Sequence, residues 1–236
     1  VESALKQVEK MVNEGAAFID IGGESTRPGH TPVSSETEIE RLVPIIEKIR
    51  ENFDVAISVD TFKSKTFKIC IEAGADMLND VWGMKYDSEM AKIAKELDVP
   101  VILMHNKDNN IYDDLMKDLI RETLESVEIA HAAGISDDKI ILDPGCGFAL
   151  DYEKDLTVVN RLREFVEVGY PVLLGTSRKR FVGRATEIAE PLQRAIGTAA
   201  TTAIGVMNGA TIFRVHDVRE NYEAMKMAMA ILHEGR

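Results

Sequence analysis

Five residues of this chain carry hydrogen-bonding groups that together suit a flat, nitrogen-rich ring: Asp60, Asn79, Asp143, Lys179 and Arg214. An ionised carboxylate only accepts hydrogen bonds, an amide both donates and accepts, and an ammonium only donates. Asp143 therefore suits an amidine-like pair of N–H groups, Asn79 a mixed edge, and Lys179 a carbonyl or ring nitrogen. Arg214 brings a planar fork that stacks on a ring or clamps a phosphate. His216 stands two residues further along the same extended segment and so on the same side of it. Arg214-Val215-His216 thus reads as a phosphate site, though weakly on its own. Each residue also has an ordinary alternative: Asp60 as a helix cap, Asn79-Asp80 and Asp143-Pro144-Gly145 as turns, Lys179 as a surface lysine. The set is harder to dismiss than its members.

What unites them is position. Seven apolar runs, 17–23, 55–60, 75–80, 101–105, 140–145, 172–176 and 211–215, each break off at a polar or glycine-rich corner. Runs of this kind read as strands buried on both faces, the signature of a parallel sheet covered by helices. In such a sheet all five residues lie on one rim, where α/β enzymes place their chemistry. Helical periodicity fills the intervals at 3–13, 36–50, 63–73, 88–97, 114–133, 153–168, 189–208 and 217–234. Ser35 and Glu38 fit a capping box ahead of the second of these, and Pro44 lies inside it. Eight helices against seven strands predict one α/β domain over residues 1–236, a TIM (β/α)8 barrel whose first strand and following loop look absent from the chain. An open doubly wound sheet is the rival, but no Gly-x-Gly-x-x-Gly loop occurs.

Composition narrows the class. The chain has 236 residues, 45% of them hydrophobic, enough for a large core. A net charge of −12 argues against nucleic acid as a partner, while Arg178–Arg180 and Arg214–His216 concentrate positive charge locally. From charge alone Arg178–Arg180 reads as a solvated cluster slightly more readily than as an anion site. Two cysteines imply no disulfide framework, and neither a membrane span nor a signal segment is evident, which predicts a cytoplasmic protein. The helix at 189–208 is rich in Ala, Thr and Gly, and suits a subunit interface or tight packing on the sheet about equally. Met225, Met227 and Met229 read as core filler and helix surface.

The segment Gly22–Gly29 leaves the first run as a candidate lid, with Thr26 and Arg27 as its polar tips. Together with Asp20-Ile-Gly-Gly-Glu-Ser-Thr-Arg-Pro-Gly29, the motifs Ser58–Thr61, Asn79–Val81, Leu103–His105, Asp143–Gly145, Ser177–Lys179 and Arg214–Val218 span nearly the whole chain. In this order they resemble dihydropteroate synthase, and Met104–Asn109 is similar to the Gram-positive type.

The resemblance implies a TIM barrel that condenses a dihydropterin pyrophosphate with p-aminobenzoate, releases pyrophosphate, and is the target of sulfonamides. It assigns the pterin to Asp60, Asn79, Met104, Asp143, Lys179 and Arg214. It assigns the pyrophosphate to Thr26, Arg214 and His216, and the arylamine to Thr26, Arg27, Pro28 and Phe148, with Arg180 at that pocket. Asp60, Lys179, Arg214 and His216 are the expected catalytic residues, Mg²⁺ the expected cofactor, and a homodimer the expected assembly. Three departures stand out. The family's Asn-Val-Thr-Pro-Asp-Ser-Phe segment, bearing its metal-linked Asn, is not in this sequence, so no metal ligand is expected within it. Arg180 replaces a usual Ser, and Ala149-Leu150 replaces Gly-Lys or Ala-Lys. A binding-only pterin barrel, truncated and inactive, and a pterin-dependent methyltransferase are the alternatives; the latter has no pyrophosphate for Arg214 and His216 to hold.

Overall fold

The computed structural model describes residues 1–24 and 32–235. They form two compact units, Val1–Met104 with Leu124–Ile140, and His105–Thr123 with Ile141–Arg236.

In the first unit the apolar runs become β1 (Phe18–Gly22), β2 (Ala56–Asp60), β3 (Met77–Asp80) and β4 (Val101–Met104). They pair in parallel in chain order, with Gly22 opposite Asp60, Asp60 opposite Asn79, and Asn79 opposite Ile102. Parallel register therefore carries the polar corners to one end of the sheet. Helices α1 (Glu2–Asn13) and α2 (Ser35–Asn52) cover it, burying Val8, Leu42, Ile46 and Ile49 against Ile19, Ile57 and Val59. Along α2 the buried side chains recur at three- and four-residue spacing, apolar at Leu42, Ile46 and Ile49 and charged only at Glu38. The helix runs on through Pro44 without a break.

Its N-cap is Ser34, not Ser35: Ser34 has extended backbone, and its Oγ accepts from the Thr37 N–H at 3.2 Å. Glu38 takes no part in a capping box, because its buried carboxylate accepts from Lys63 Nζ at 3.2 Å and Thr66 Oγ1 at 3.0 Å. Helices α3 (Ser64–Glu72) and α4 (Met90–Leu97) follow β2 and β3, and α5 (Leu115–Ala132) follows β4.

β5 (Ile140–Asp143) leads into the second unit, where β6 (Leu173–Leu174) and β7 (Ile212–Phe213) pair in parallel and Leu142 bridges Val172. The expected helix at 153–168 is two, α6 (Tyr152–Asn160) and α7 (Leu162–Val166). A short helix unforeseen in the sequence, α8 (Arg180–Ala185), precedes α9 (Ala195–Asn208) and α10 (Val218–Leu232). The parallel β–α alternation is that of the (β/α)8 class, with seven strands among the described residues. These lie in two sheets and close no hydrogen-bonded ring. No helix among the described residues is long and apolar enough to cross a membrane.

The glycines of α9 serve close packing, Gly197 against Val182 of α8 and Gly205 against the sheet. A Cβ at Gly205 would lie 2.7 Å from Phe213 and 2.8 Å from Leu174, both strand residues. Gly205→Ala is therefore expected to destabilise the fold by about 1–3 kcal/mol, seen as a lower urea midpoint. The same helix leaves Ile196 82% exposed, with Ile204 and Met207 also exposed.

Candidate active site

In the first unit, Asp60 and Asn79 end adjacent strands and are both buried. Asn79 Nδ2 donates to Asp20 Oδ1 at 3.1 Å, which commits one amide N–H and sets the orientation of the group. Asp20 was not among the residues singled out in the sequence. Its signal was a lone carboxylate in an otherwise apolar strand, Phe18-Ile-Asp-Ile-Gly22. The adjacent pair Asn79-Asp80 divides its work, because successive strand residues face opposite ways. Asp80 is the turn former: it accepts from the N–H groups of Trp82 and Met84, each at 2.8 Å. Met104 is buried at the end of β4. Thr26, Arg27 and Pro28 lie outside the described residues. On either side of them, Glu24 accepts from the Val33 N–H at 3.3 Å and is paired with Lys63.

In the second unit, Asp143 ends β5, and its carboxylate accepts from the Gly145 N–H at 2.7 Å. The Asp143-Pro144-Gly145 turn and the rim carboxylate are thus one feature rather than alternatives. Lys179 follows β6, is half-buried as a residue, and donates from Nζ to the Cys146 carbonyl. Its Nζ also sits 4.7 Å from the centre of the Phe148 ring. Desolvation pushes the Lys179 ammonium below the ordinary lysine range; nearby Asp143 opposes that shift and Arg214 adds to it. Gly147 makes this arrangement possible: with φ +80° its missing Cβ would stand 2.6 Å from Lys179 Cδ. Its N–H donates to the buried carboxylate of Asp155 at 2.6 Å.

The basic triplet does not act as one cluster. Arg178, at φ +58°, makes a two-point pair with Asp217, Nε to Oδ2 at 2.9 Å. Arg180 is exposed at the start of α8. The backbone between them is tied down by Arg194, which sequence reasoning passed over. This buried guanidinium donates to the carbonyls of Arg178 at 2.9 Å, Lys179 at 3.4 Å, Ile188 at 3.0 Å, and Ala189. Arg214 is half-buried just beyond β7, its N–H donating to the Leu174 carbonyl at 3.2 Å. His216 is exposed and bonded to Ser177. Leu150 is buried, so the apolar residue at this departure serves packing.

Two buried carboxyls give the fold a pH signature. Burial pushes Asp80 and Asp155 up from the ordinary 3.8 to about 6, against the backbone N–H groups that favour their ionised forms. Between about pH 4 and 6 the folded chain holds protons that the unfolded chain has released, so stability falls as pH rises through that window. Carboxylates held low, such as Glu122 and Asp87, act mainly below about pH 5, so the change from pH 5 to pH 7 belongs to the raised pair. The urea midpoint is expected to be higher at pH 5 than at pH 7, and Asp155→Asn is expected to flatten that rise. A flat profile in the parent would remove both assignments.

No group of three His, Cys, Asp or Glu side chains that could hold a metal ion occurs among the described residues.

Parallel βα units whose strands end in polar side chains define an α/β enzyme class. The family described as "Pterin binding enzyme" matches residues 1–216. A dihydropteroate synthase of Clostridium beijerinckii is 50% identical over 98% of this chain and 86% of its own length. The structure of a Clostridium difficile dihydropteroate synthase in the presence of pteroic acid superposes with a TM-score of 0.95 at 43% identity, covering 98% of this chain and 88% of that one. That of Xanthomonas albilineans with 4-aminobenzoic acid gives 0.95 at 36% identity, over 98% and 85%. The chain belongs to the dihydropteroate synthase family.

Proposed function

We propose that this chain condenses 6-hydroxymethyl-7,8-dihydropterin pyrophosphate with p-aminobenzoate, giving 7,8-dihydropteroate and pyrophosphate in folate biosynthesis. The observation that carries the reading is the grouping in the second unit of Asp143, a desolvated Lys179 and Arg214 within electrostatic reach of one another. A carboxylate for paired N–H groups beside a donor for a carbonyl or ring nitrogen suits a pterin edge. Asp60, Asn79 and Met104 complete the pterin contacts in this reading. Arg214 and His216, with Thr26, receive the diphosphate.

The C–O bond to the pyrophosphate breaks first and its electron pair leaves with the anion. The arylamine nitrogen then bonds to the pterin methyl cation and loses a proton. The residues' task is to stabilise separating charge: Asp60 beside the cation, Arg214 and His216 at the anion. Mg²⁺ accompanies the substrate diphosphate, whose oxygens suit a hard cation.

Phe148, Arg180, Thr26, Arg27 and Pro28 serve the arylamine, and sulfonamides compete for that place. Arg180→Ser is expected to change p-aminobenzoate or sulfonamide affinity and leave pterin affinity intact. Loss of pterin affinity would put Arg180 elsewhere. The exposed Ile196, Ile204 and Met207 of α9 support a homodimer through that helix, testable by sedimentation. The two cysteines, free and buried, suit a reducing cytoplasm.

The deciding experiment measures pyrophosphate release from the two substrates, with and without Mg²⁺. Pterin binding without release would favour a binding protein instead. Methyl transfer from a methylated pterin would favour the methyltransferase.

A further inference from the structure

Ser177 holds His216 through one oxygen at two points. Its Oγ accepts from the His216 backbone N–H at 3.0 Å and lies 2.8 Å from the imidazole Nδ1. The contact belongs to a double cross-link, because the next residues, Arg178 and Asp217, form the two-point ion pair described above. Arg178 is itself fixed, its N–H donating to Thr198 Oγ1 at 3.1 Å. Two consecutive residues after β6 are thus fastened to two consecutive residues after β7, and the place of Ser177 beside the imidazole is set by backbone on both sides.

Ser177 is buried, and a buried hydroxyl places its single proton on an acceptor. The only hydrogen-bond partners of its Oγ among the described residues are the two His216 nitrogens. The backbone nitrogen is a donor, so Nδ1 is the only acceptor. An imidazole that accepts at Nδ1 carries its own proton at Nε2 when neutral. The reverse arrangement, with Nδ1–H donating to Oγ, would leave the serine proton buried with nowhere to go.

We infer that Ser177 is a positioning residue that fixes His216 in the Nε2–H tautomer and in one ring orientation, so that the exposed imidazole offers an N–H to an anion without having to be charged. The inference rests on the reading that His216 meets the pyrophosphate. It explains why an exposed histidine, free to take either tautomer in water, is tied to a buried hydroxyl. It also joins the anion end of the site to the Ser177-Arg178-Lys179 turn that aims the lysine.

The test uses the full chain labelled with ¹⁵N at histidine. The parent is expected to show His216 with Nδ1 unprotonated and Nε2 protonated above the imidazole pKa, the signal being assigned by its loss in His216→Gln. Ser177→Ala is expected to admit the Nδ1–H form, moving the averaged Nδ1 shift toward the protonated value. It is also expected to weaken binding of inorganic pyrophosphate about two- to tenfold. Ser177→Thr keeps the hydroxyl and is expected to restore both readings, which a merely structural role for the serine would not predict. A parent with its proton on Nδ1 overturns the inference, and so does pyrophosphate affinity that is the same in Ser177→Ala as in the parent. A parent that shows the expected tautomer and pyrophosphate response but forms no dihydropteroate sinks the synthase reading and supports this one.

Discussion

Replacing Lys179 by alanine is expected to weaken binding of 6-hydroxymethylpterin about 10- to 100-fold, as titration calorimetry would read it. The physical argument is the loss of a charge-assisted donor, worth about 1.5–3 kcal/mol when its acceptor stays in place. Stability should not fall in parallel. The lysine is held below its ordinary pKa, so below that depressed value the folded state bears a charge it disfavours, and removing the ammonium relieves that cost. Lys179→Met keeps the stem that packs beside Gly147 and Phe148 and loses only the ammonium, so it is expected to bind pterin as poorly as the alanine variant. Tight pterin binding by both variants would remove Lys179 from the site.

Arg194→Met is expected to destabilise the chain by at least about 3 kcal/mol and to lower pterin affinity with it. Four carbonyls between residues 178 and 189 accept from this one guanidinium, that of Lys179 also accepting from the Gly183 N–H at 3.2 Å. Buried acceptors left without donors cost about 1–3 kcal/mol each, not additively. Arg194→Lys should recover little, since an ammonium on a flexible stem cannot span carbonyls that a planar fork reaches at once. A further constraint comes from Gly183, where an added Cβ would stand 2.3 Å from Arg194 Nε. Equal urea midpoints for the parent and Arg194→Met would show that the turn holds itself.

Much of the fold was legible because its signals are local. Seven apolar runs gave seven strands within their limits, since burial on both faces forces a run to be apolar throughout. Helix faces followed from three- and four-residue spacing. The errors lie where one residue's worth of backbone geometry decides. The cap of α2 lies one residue earlier, at Ser34, whose Oγ meets the Thr37 N–H, and Glu38 is spent on a buried pair with Lys63, which is distant in sequence. α8 was missed because six residues show too little periodicity, and its neighbour Arg194 looked like any surface arginine.

By itself the sequence determined the alternation of strand and helix, the ends at which polar residues gather, and, through the order of its motifs, the family. Composition at each corner was enough for that, because parallel strands all present the same end. Only the tertiary structure decided what each polar group is spent on. Asp20 is turned to Asn79, Arg178 to Asp217, Ser177 to His216, and Lys179 to the Cys146 carbonyl. The partners in these pairs are 33 to 59 residues apart along the chain. A hydrogen bond is a matter of a few ångströms and an angle, which spacing along a chain does not encode. The basic run 178–180 shows the difference: three like charges in sequence, but in the fold a structural clamp, a desolvated donor and an exposed arginine.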